Sequence, residues 1–222
     1  MMKILDIIGP VMIGPSSSHT AGAARLGKMA RLILGEAVVQ ANMKLHGSFR
    51  DTYRGHGTDR AIIAGLLGYE ADDERLRDSF QYAKEAGMEF SFSPITLRNA
   101  HPNTVVFELT GISGKKANIV GCSIGGGAIE ITEIGNYQVQ LDGTYPSIIV
   151  ICSDVPGILA KVASVFSIYS INIALMKQSR QGKGSAGEDM MIFETDQQLP
   201  DDLCNFINRI EGVKKSFILP SL

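Results

Sequence analysis

The sequence is short of several features that would mark it for a particular class. Its net charge is only −2 over 222 residues, which gives no electrostatic case for binding nucleic acid or an anionic membrane. No apolar run is long enough to span a bilayer. Near the start, Asp6 interrupts the apolar stretch from Ile4 to Ile8, and Gly9-Pro10 follows at once. That is not a secretory pattern, so the expected compartment is the cytoplasm. The three cysteines, Cys122, Cys152 and Cys204, lie far apart and form no C-x-x-C pair. An odd, scattered set argues against a disulfide framework and against a metal cluster held by this chain alone. They read as small buried hydrophobes, with Cys122 notable for adjoining a glycine-rich stretch. There is no G-x-G-x-x-G opening a helix after a strand, no Walker lysine, and no H-x-x-x-H pair. A pyridoxal-phosphate mechanism needs a Schiff-base lysine with a phosphate cup, and no lysine here sits in such a context.

What is present is an ordinary soluble composition, 45% hydrophobic and 20% charged, with length for one large or two small domains. The chain is organised around Gly14-Pro15-Ser16-Ser17-Ser18-His19-Thr20 and the apolar-periodic run that follows, Ala21 to Leu34. Ser18 is the expected N-cap of that helix. Ser16, Ser17, His19 and Thr20 then lie near the positive end of the helix, where free N–H groups suit a small anion such as a carboxylate. A polar loop with an ordinary cap fits the same residues.

Along the chain, Ile4 to Met12 fits a strand or a helical turn. The first helix has Ala24, Leu26, Met29, Ala30, Ile33 and Leu34 on one stripe and stops at Gly35. Ala37 to Leu45 alternates as a strand with Val39, Ala41, Met43 and Leu45 on one face. His46 to Asp59 is a glycine-rich polar loop. It leads into a second apolar helix capped by Thr58 or Asp59, so a histidine beside a hydroxyl precedes a helix twice. Asp73 to Ala86 reads as one charged amphipathic helix. Phe90 to Leu97 and Val105 to Leu109 read as strands, with His101 and Asn103 on the loop between them. Asn118 to Gly121 is a strand. Ser123-Ile124-Gly125-Gly126-Gly127 then allows either close backbone approach to a ligand or a bend before Ala128 to Ile134. Asp142 to Pro146 is the expected boundary between residues 1–143 and 146–222. Beyond it come a strand (Ile148 to Cys152), an Asp154-Val155-Pro156-Gly157 turn with an N-cap and a helix-starting proline, and a helix. A strand (Ile171 to Lys177), a glycine-rich loop (Gln181 to Glu188) and a strand (Met190 to Glu194) follow, then a helix (Asp201 to Arg209) and a strand (Val213 to Leu219). This is βαββαβ, the ferredoxin-like order, in an α+β chain.

The opening heptapeptide resembles the signature of the iron–sulfur L-serine dehydratases. Gly55-His56-Gly57-Thr58-Asp59, His101-Pro102-Asn103-Thr104 and Ser123-Ile124-Gly125-Gly126-Gly127 agree in the same order. The resemblance is to the beta subunit of the two-chain bacterial type and covers essentially the whole chain. Asp154 to Leu159 with Ile171-Asn172-Ile173 resembles an ACT domain, an amino-acid-binding regulatory module. The first domain is also similar to the allosteric substrate-binding domain of some phosphoglycerate dehydrogenases. The resemblance implies dehydration of L-serine to aminoacrylate, which hydrolyses to pyruvate and ammonia. It implies a [4Fe–4S] cluster as Lewis acid, ligated by an alpha subunit and not by this chain, with self-association of the subunits. It further implies His19, His56 and His101 as catalytic candidates. Ser16, Ser17, Ser18, Thr20, Thr58, Asn103, Ser123, Gly125 and Gly126 are the substrate-binding candidates. Two other readings stand beside it. One is a stand-alone amino-acid sensor, for which three loop histidines are superfluous. The other is a metal-dependent hydrolase, for which the ligand spacing is missing.

Overall fold

The computed structural model describes residues 11–181 and 187–222. Most of Ile4 to Met12 and of the loop from Gln181 to Glu188 therefore lies outside the described residues. The chain divides into two compact units. One comprises residues 1–135 and 140–142, and the other 136–139 and 143–222.

The first of two sheets has six strands. In chain order its strands are β1 (Val38–Leu45), β2 (Glu89–Pro94), β3 (Thr104–Gly111), β4 (Lys116–Gly125), β5 (Ala128–Ile134) and β6 (Tyr137–Leu141). They lie side by side as β2-β1-β3-β4-β5-β6. β1 and β2 run parallel, while β1–β3, β3–β4 and β4–β5 are antiparallel. The parallel pair is joined by a helical crossover: α2 (Gly47–Thr52), α3 (Thr58–Leu67), a 3-10 turn (Glu74–Asp78) and α4 (Ser79–Glu85). α1 (Gly22–Leu34) packs against β4, β5 and α3. Its stripe Leu26, Met29, Ala30 and Leu34 is fully buried, worth about 1.5–3 kcal/mol for each large side chain.

α1 and α3 meet at backbone distance, and glycines permit it. A Cβ on Gly65 would fall 2.6 Å from the Lys28 nitrogen and closer still to the Ala24 carbonyl oxygen. One on Gly27 would fall 3.1 Å from the Leu66 nitrogen and closer to the Ile62 oxygen. The two helices thus act as one block that sets their N-termini side by side.

Several local expectations are corrected. The Asp73 to Ala86 segment is not one helix but the 3-10 turn followed by α4, with Asp73 accepting from the Arg75 N–H as the turn's cap. In β1 it is Val38, Ala41, Met43 and Leu45 that are buried. A register shift between Val38 and Gln40 breaks the alternation, as a bulge does. α2 and β6 were not expected, being too short for periodicity to reveal.

The C-terminal unit holds β7 (Ser147–Ser153), α5 (Ile158–Ile168), β8 (Ile173–Arg180), β9 (Glu188–Thr195), α6 (Leu203–Ile207) and β10 (Val213–Leu219). The four strands lie in the order β10-β7-β9-β8, all neighbours antiparallel. This is the ferredoxin-like arrangement. Val150 and Cys152 of β7, Met191 and Phe193 of β9, and Val162 and Phe166 of α5 form its core. Asp154 does not cap α5. Gly157, at φ 85°, occupies that position without a side-chain bond, and Asp154 pairs with Arg180 at 3.2 Å.

Candidate functional site

The opening motif forms a tight turn ahead of α1. Residues Ser17–Ala21 make a single π-helical turn, in which the Gly22 N–H reaches back to the Ser17 oxygen. Ser16, not Ser18, is the cap: its backbone is extended and its Oγ accepts from the His19 N–H at 3.1 Å. The wider turn shifts the capping position two residues upstream. Gly14 (φ 144°) is pressed against Thr20, whose Cβ would be 2.9 Å from any side chain placed there. Thr20 is buried, and its hydroxyl donates to the His56 carbonyl at 3.2 Å. That bond ties the first loop to the second.

α3 likewise starts differently from expectation. Neither Thr58 nor Asp59 caps it; Gly57 does, in the left-handed region at φ 67°. The α1–α3 block and the Thr20–His56 tie bring the two histidines together, with ring centroids 4.8 Å apart. The His19 ring also meets the Phe49 ring edge-on at 5.3 Å, and its Nε2 bonds Ser48 Oγ at 3.0 Å. Burial first, and the charge of His56 second, push the His19 pKa below its ordinary 6.5. His19 is therefore neutral at pH 7, with one ring nitrogen a donor and the other an acceptor.

His101 lies on the loop that faces the start of α2. Its Nδ1 accepts from the Asn103 N–H at 3.2 Å, and its carbonyl accepts from Thr104 Oγ1 at 2.6 Å. Phe49 N–H donates to the Pro102 oxygen and His46 N–H to the Thr104 oxygen. The loop thus rests on α2, the helix that carries Ser48, but among the described residues the His101 ring touches neither His19 nor His56. Asn103 is bonded to Ser123 twice, through Nδ2 to the Ser123 oxygen at 3.4 Å and through its own oxygen from the Ser123 N–H at 3.1 Å. Ser123 reaches the start of α1, where a Cβ on Gly22 would fall 2.8 Å from the Ser123 Cβ. Gly125 ends β4. Gly126 and Gly127, at φ 61° and 82°, form the two-residue turn into β5, as a hairpin with two positive φ angles requires. Arg25 of α1 holds that turn by donating to the Gly127 oxygen.

Three buried polar atoms of this unit have no partner among the described residues: His56 Nδ1, Thr58 Oγ1 and Ser123 Oγ. They lie in the loop before α3, at the first residue of α3 and within β4. Buried polar groups are nearly always satisfied, so each of these atoms has bonding capacity that the described residues leave unused. Ser48 and Phe49 are the site residues that sequence reasoning missed. The only signal was Gly47-Ser48 directly after a strand end.

Residues 4–89 match the serine dehydratase beta chain family and residues 147–203 the ACT domain family. The chain is 40% identical to the probable L-serine dehydratase beta chain of Bacillus subtilis, over 95% of this chain and 94% of that one. The chain belongs to the L-serine dehydratase beta-chain family. It is also 40% identical to the L-serine dehydratase beta chain of Peptoniphilus asaccharolyticus over 76% of each chain. To the D-3-phosphoglycerate dehydrogenase of Synechocystis it is 23% identical, across 88% of this chain and 35% of that one.

The beta-chain residues do not fit an iron–sulfur cluster. Cys122 belongs to β4, while Cys152 and Cys204 belong to the C-terminal unit. Burial, then the charge of Glu130, pushes the Cys122 thiol up to about 11. Burial, then nearby carboxylates led by Asp189, does the same to Cys152. A cluster needs thiolates gathered in one place. Among the described residues no three histidine, cysteine or carboxylate side chains are grouped to hold a metal. Nor is any helix long and apolar enough to cross a membrane.

Proposed function

We propose that this chain is the beta subunit of a cytoplasmic L-serine dehydratase that converts L-serine to pyruvate and ammonia with an alpha subunit. The observation that carries the reading is the meeting of the His19 and His56 rings, with His56 Nδ1 left without a partner among the described residues. The cluster that supplies Lewis-acid chemistry in this family is assigned to the alpha subunit. Residues 1–143 form the substrate-handling domain, and residues 146–222 form an ACT-like regulatory domain that also favours self-association.

The roles within this chain follow from the bonds already made. Ser16 and Thr20 spend their side-chain oxygens on the His19 N–H and the His56 carbonyl, so they shape the loop. Ser17 and Ser18 spend theirs on no partner among the described residues, which leaves them for the substrate carboxylate near the N–H groups that open α1. Ser48 engages His19 Nε2, which leaves Nδ1 to exchange a proton with the substrate. A neutral imidazole at pH 7 has the lone pair this requires. Thr58, Ser123, Asn103, Gly125 and Gly126 remain the further substrate-binding candidates of this reading, and His101 its third catalytic candidate.

The test is reconstitution. This chain purified alone should be colourless and inactive, and anaerobic reconstitution with a cysteine-bearing alpha chain should give serine dehydratase activity. In that complex Ser17→Ala should raise KM, by about 1–3 kcal/mol for a hydrogen bond to a charged group. His19→Ala should lower kcat by about 10²–10⁴-fold. A correctly assembled complex that binds L-serine without dehydrating it would replace this reading with an amino-acid sensor.

A further inference from the structure

A cavity of about 570 Å³ opens beside His56, and the roles above leave most of its lining unused. Arg54, Arg60, Arg77 and Asp59 face it, with Phe80 and Leu76 supplying an apolar wall. Ser17, Ser18 and His19 are not part of that lining. Among the described residues none of these guanidiniums forms an ion pair. Arg54 rests on the Tyr53 ring at 5.5 Å and Arg60 on the Phe80 ring at 6.0 Å. Arg77 makes no side-chain hydrogen bond among the described residues. Asp59 spends one oxygen on the Arg60 N–H at 2.8 Å, and burial pushes its pKa up.

Three guanidiniums against one carboxylate leave the cavity with two uncompensated positive charges, on a chain whose net charge is −2. The buried, unpartnered Nδ1 of His56 belongs to a ring that lines the same cavity, which is a second, independent mark of a missing ligand. We propose that this cavity binds a small organic dianion, a phosphate monoester or a dicarboxylate, held by Arg54, Arg60 and Arg77 beside His56. The substrate fits the charge less well. L-serine is a zwitterion, so its ammonium would enter among the same guanidiniums and leave the excess in place, whereas a dianion cancels it. Planar guanidinium forks match phosphate and carboxylate oxygens two at a time. A cavity of this volume also has room for more than a bare ion, and the Phe80 and Leu76 wall suits a short carbon body. Because the His56 ring also touches His19, occupancy would be felt at the proposed proton-handling residue, making the ligand an effector.

Calorimetry on the full chain tests this directly, and it reads binding, so it stands whether or not the dehydratase reading holds. The probes are glycerol 3-phosphate and succinate, with inorganic phosphate and L-serine alongside. At least one organic dianion should bind one-to-one, more weakly as salt is raised. Binding of one and silence of the other names phosphate or carboxylate as the headgroup. Arg77→Gln and Arg77→Lys should each weaken it at least tenfold without moving the melting temperature, since charge alone does not replace the fork. The His56 ring resonances should shift on saturation. The proposal is overturned if neither dianion binds the wild-type chain, or if both Arg77 variants bind as well as wild type. It also falls if L-serine or inorganic phosphate binds as tightly as the organic dianions.

Discussion

Replacing Gly65 by alanine tests the contact that sets His19 beside His56. In an isolated helix the change stabilises, by about 1 kcal/mol of propensity. Here the new methyl would sit 2.6 Å from the Lys28 nitrogen, where ordinary contact begins near 3.4 Å, so that pair alone asks for 3.4 − 2.6 = 0.8 Å of separation. The Ala24 carbonyl oxygen is nearer and asks for more. Both are backbone atoms of α1, so no side chain can swing away. Overpacking of this kind costs about 1–3 kcal/mol, towards the upper end when backbone is struck, for a net loss of about 1–2 kcal/mol. The larger effect should be on catalysis. Moving α3 outward carries Gly57 and His56 with it, and misplacement near 1 Å costs about 10²-fold in rate. Urea titration of the chain and steady-state kinetics of the two-chain enzyme measure the two effects. A Gly65→Ala protein that melts at or above wild type with unchanged kcat would refute the reasoning, because the helices would then not be held at backbone distance.

Three further outcomes are expected. The His19 ring should titrate below 6.5 by NMR, and His56→Phe should move it upward by removing one of the two causes. Since the unfolded imidazole binds the proton that the folded site resists, His19 stabilises the fold above pH 6.5, and that contribution is lost as pH falls through the folded pKa. Ser16→Ala should cost about 1 kcal/mol of stability in urea as a lost cap, and Ser18→Ala next to nothing. Iodoacetamide at pH 7.5 should modify Cys204, the half-buried cysteine, before Cys122 or Cys152, whose thiols are buried and pushed up to about 11.

What the sequence made legible was whatever local chemistry and periodicity encode. The βαββαβ order, the stripe of α1 and the Gly35 stop are all found in the structure, Gly35 adopting φ 81°. The errors fall where a distant partner decides. Val39 loses its place on the buried face because β1 slips by one residue against β3. Ser18 loses the cap to Ser16 because the first turn is π-helical and Thr20 is drawn towards His56. Ser48 was invisible because its importance comes from a ring 29 positions away. Gly65 looked like one more small apolar residue, and only the backbone of α1 across from it shows why no other residue serves.

The way the chain passes between its two units bears on how it can be cut. Residues 136–139 leave the N-terminal unit and count with the C-terminal one, before residues 140–142 return. Tyr137 is 4% exposed and its hydroxyl donates to Glu188 at 2.6 Å. A stop codon after Asp142 would therefore not sever the protein at a clean joint. It would strip a phenol of its acceptor and bare its ring, creating a sticky stump that invites aggregation or proteolysis. A shortened protein intended to lack only the regulatory part should carry a polar replacement at Tyr137.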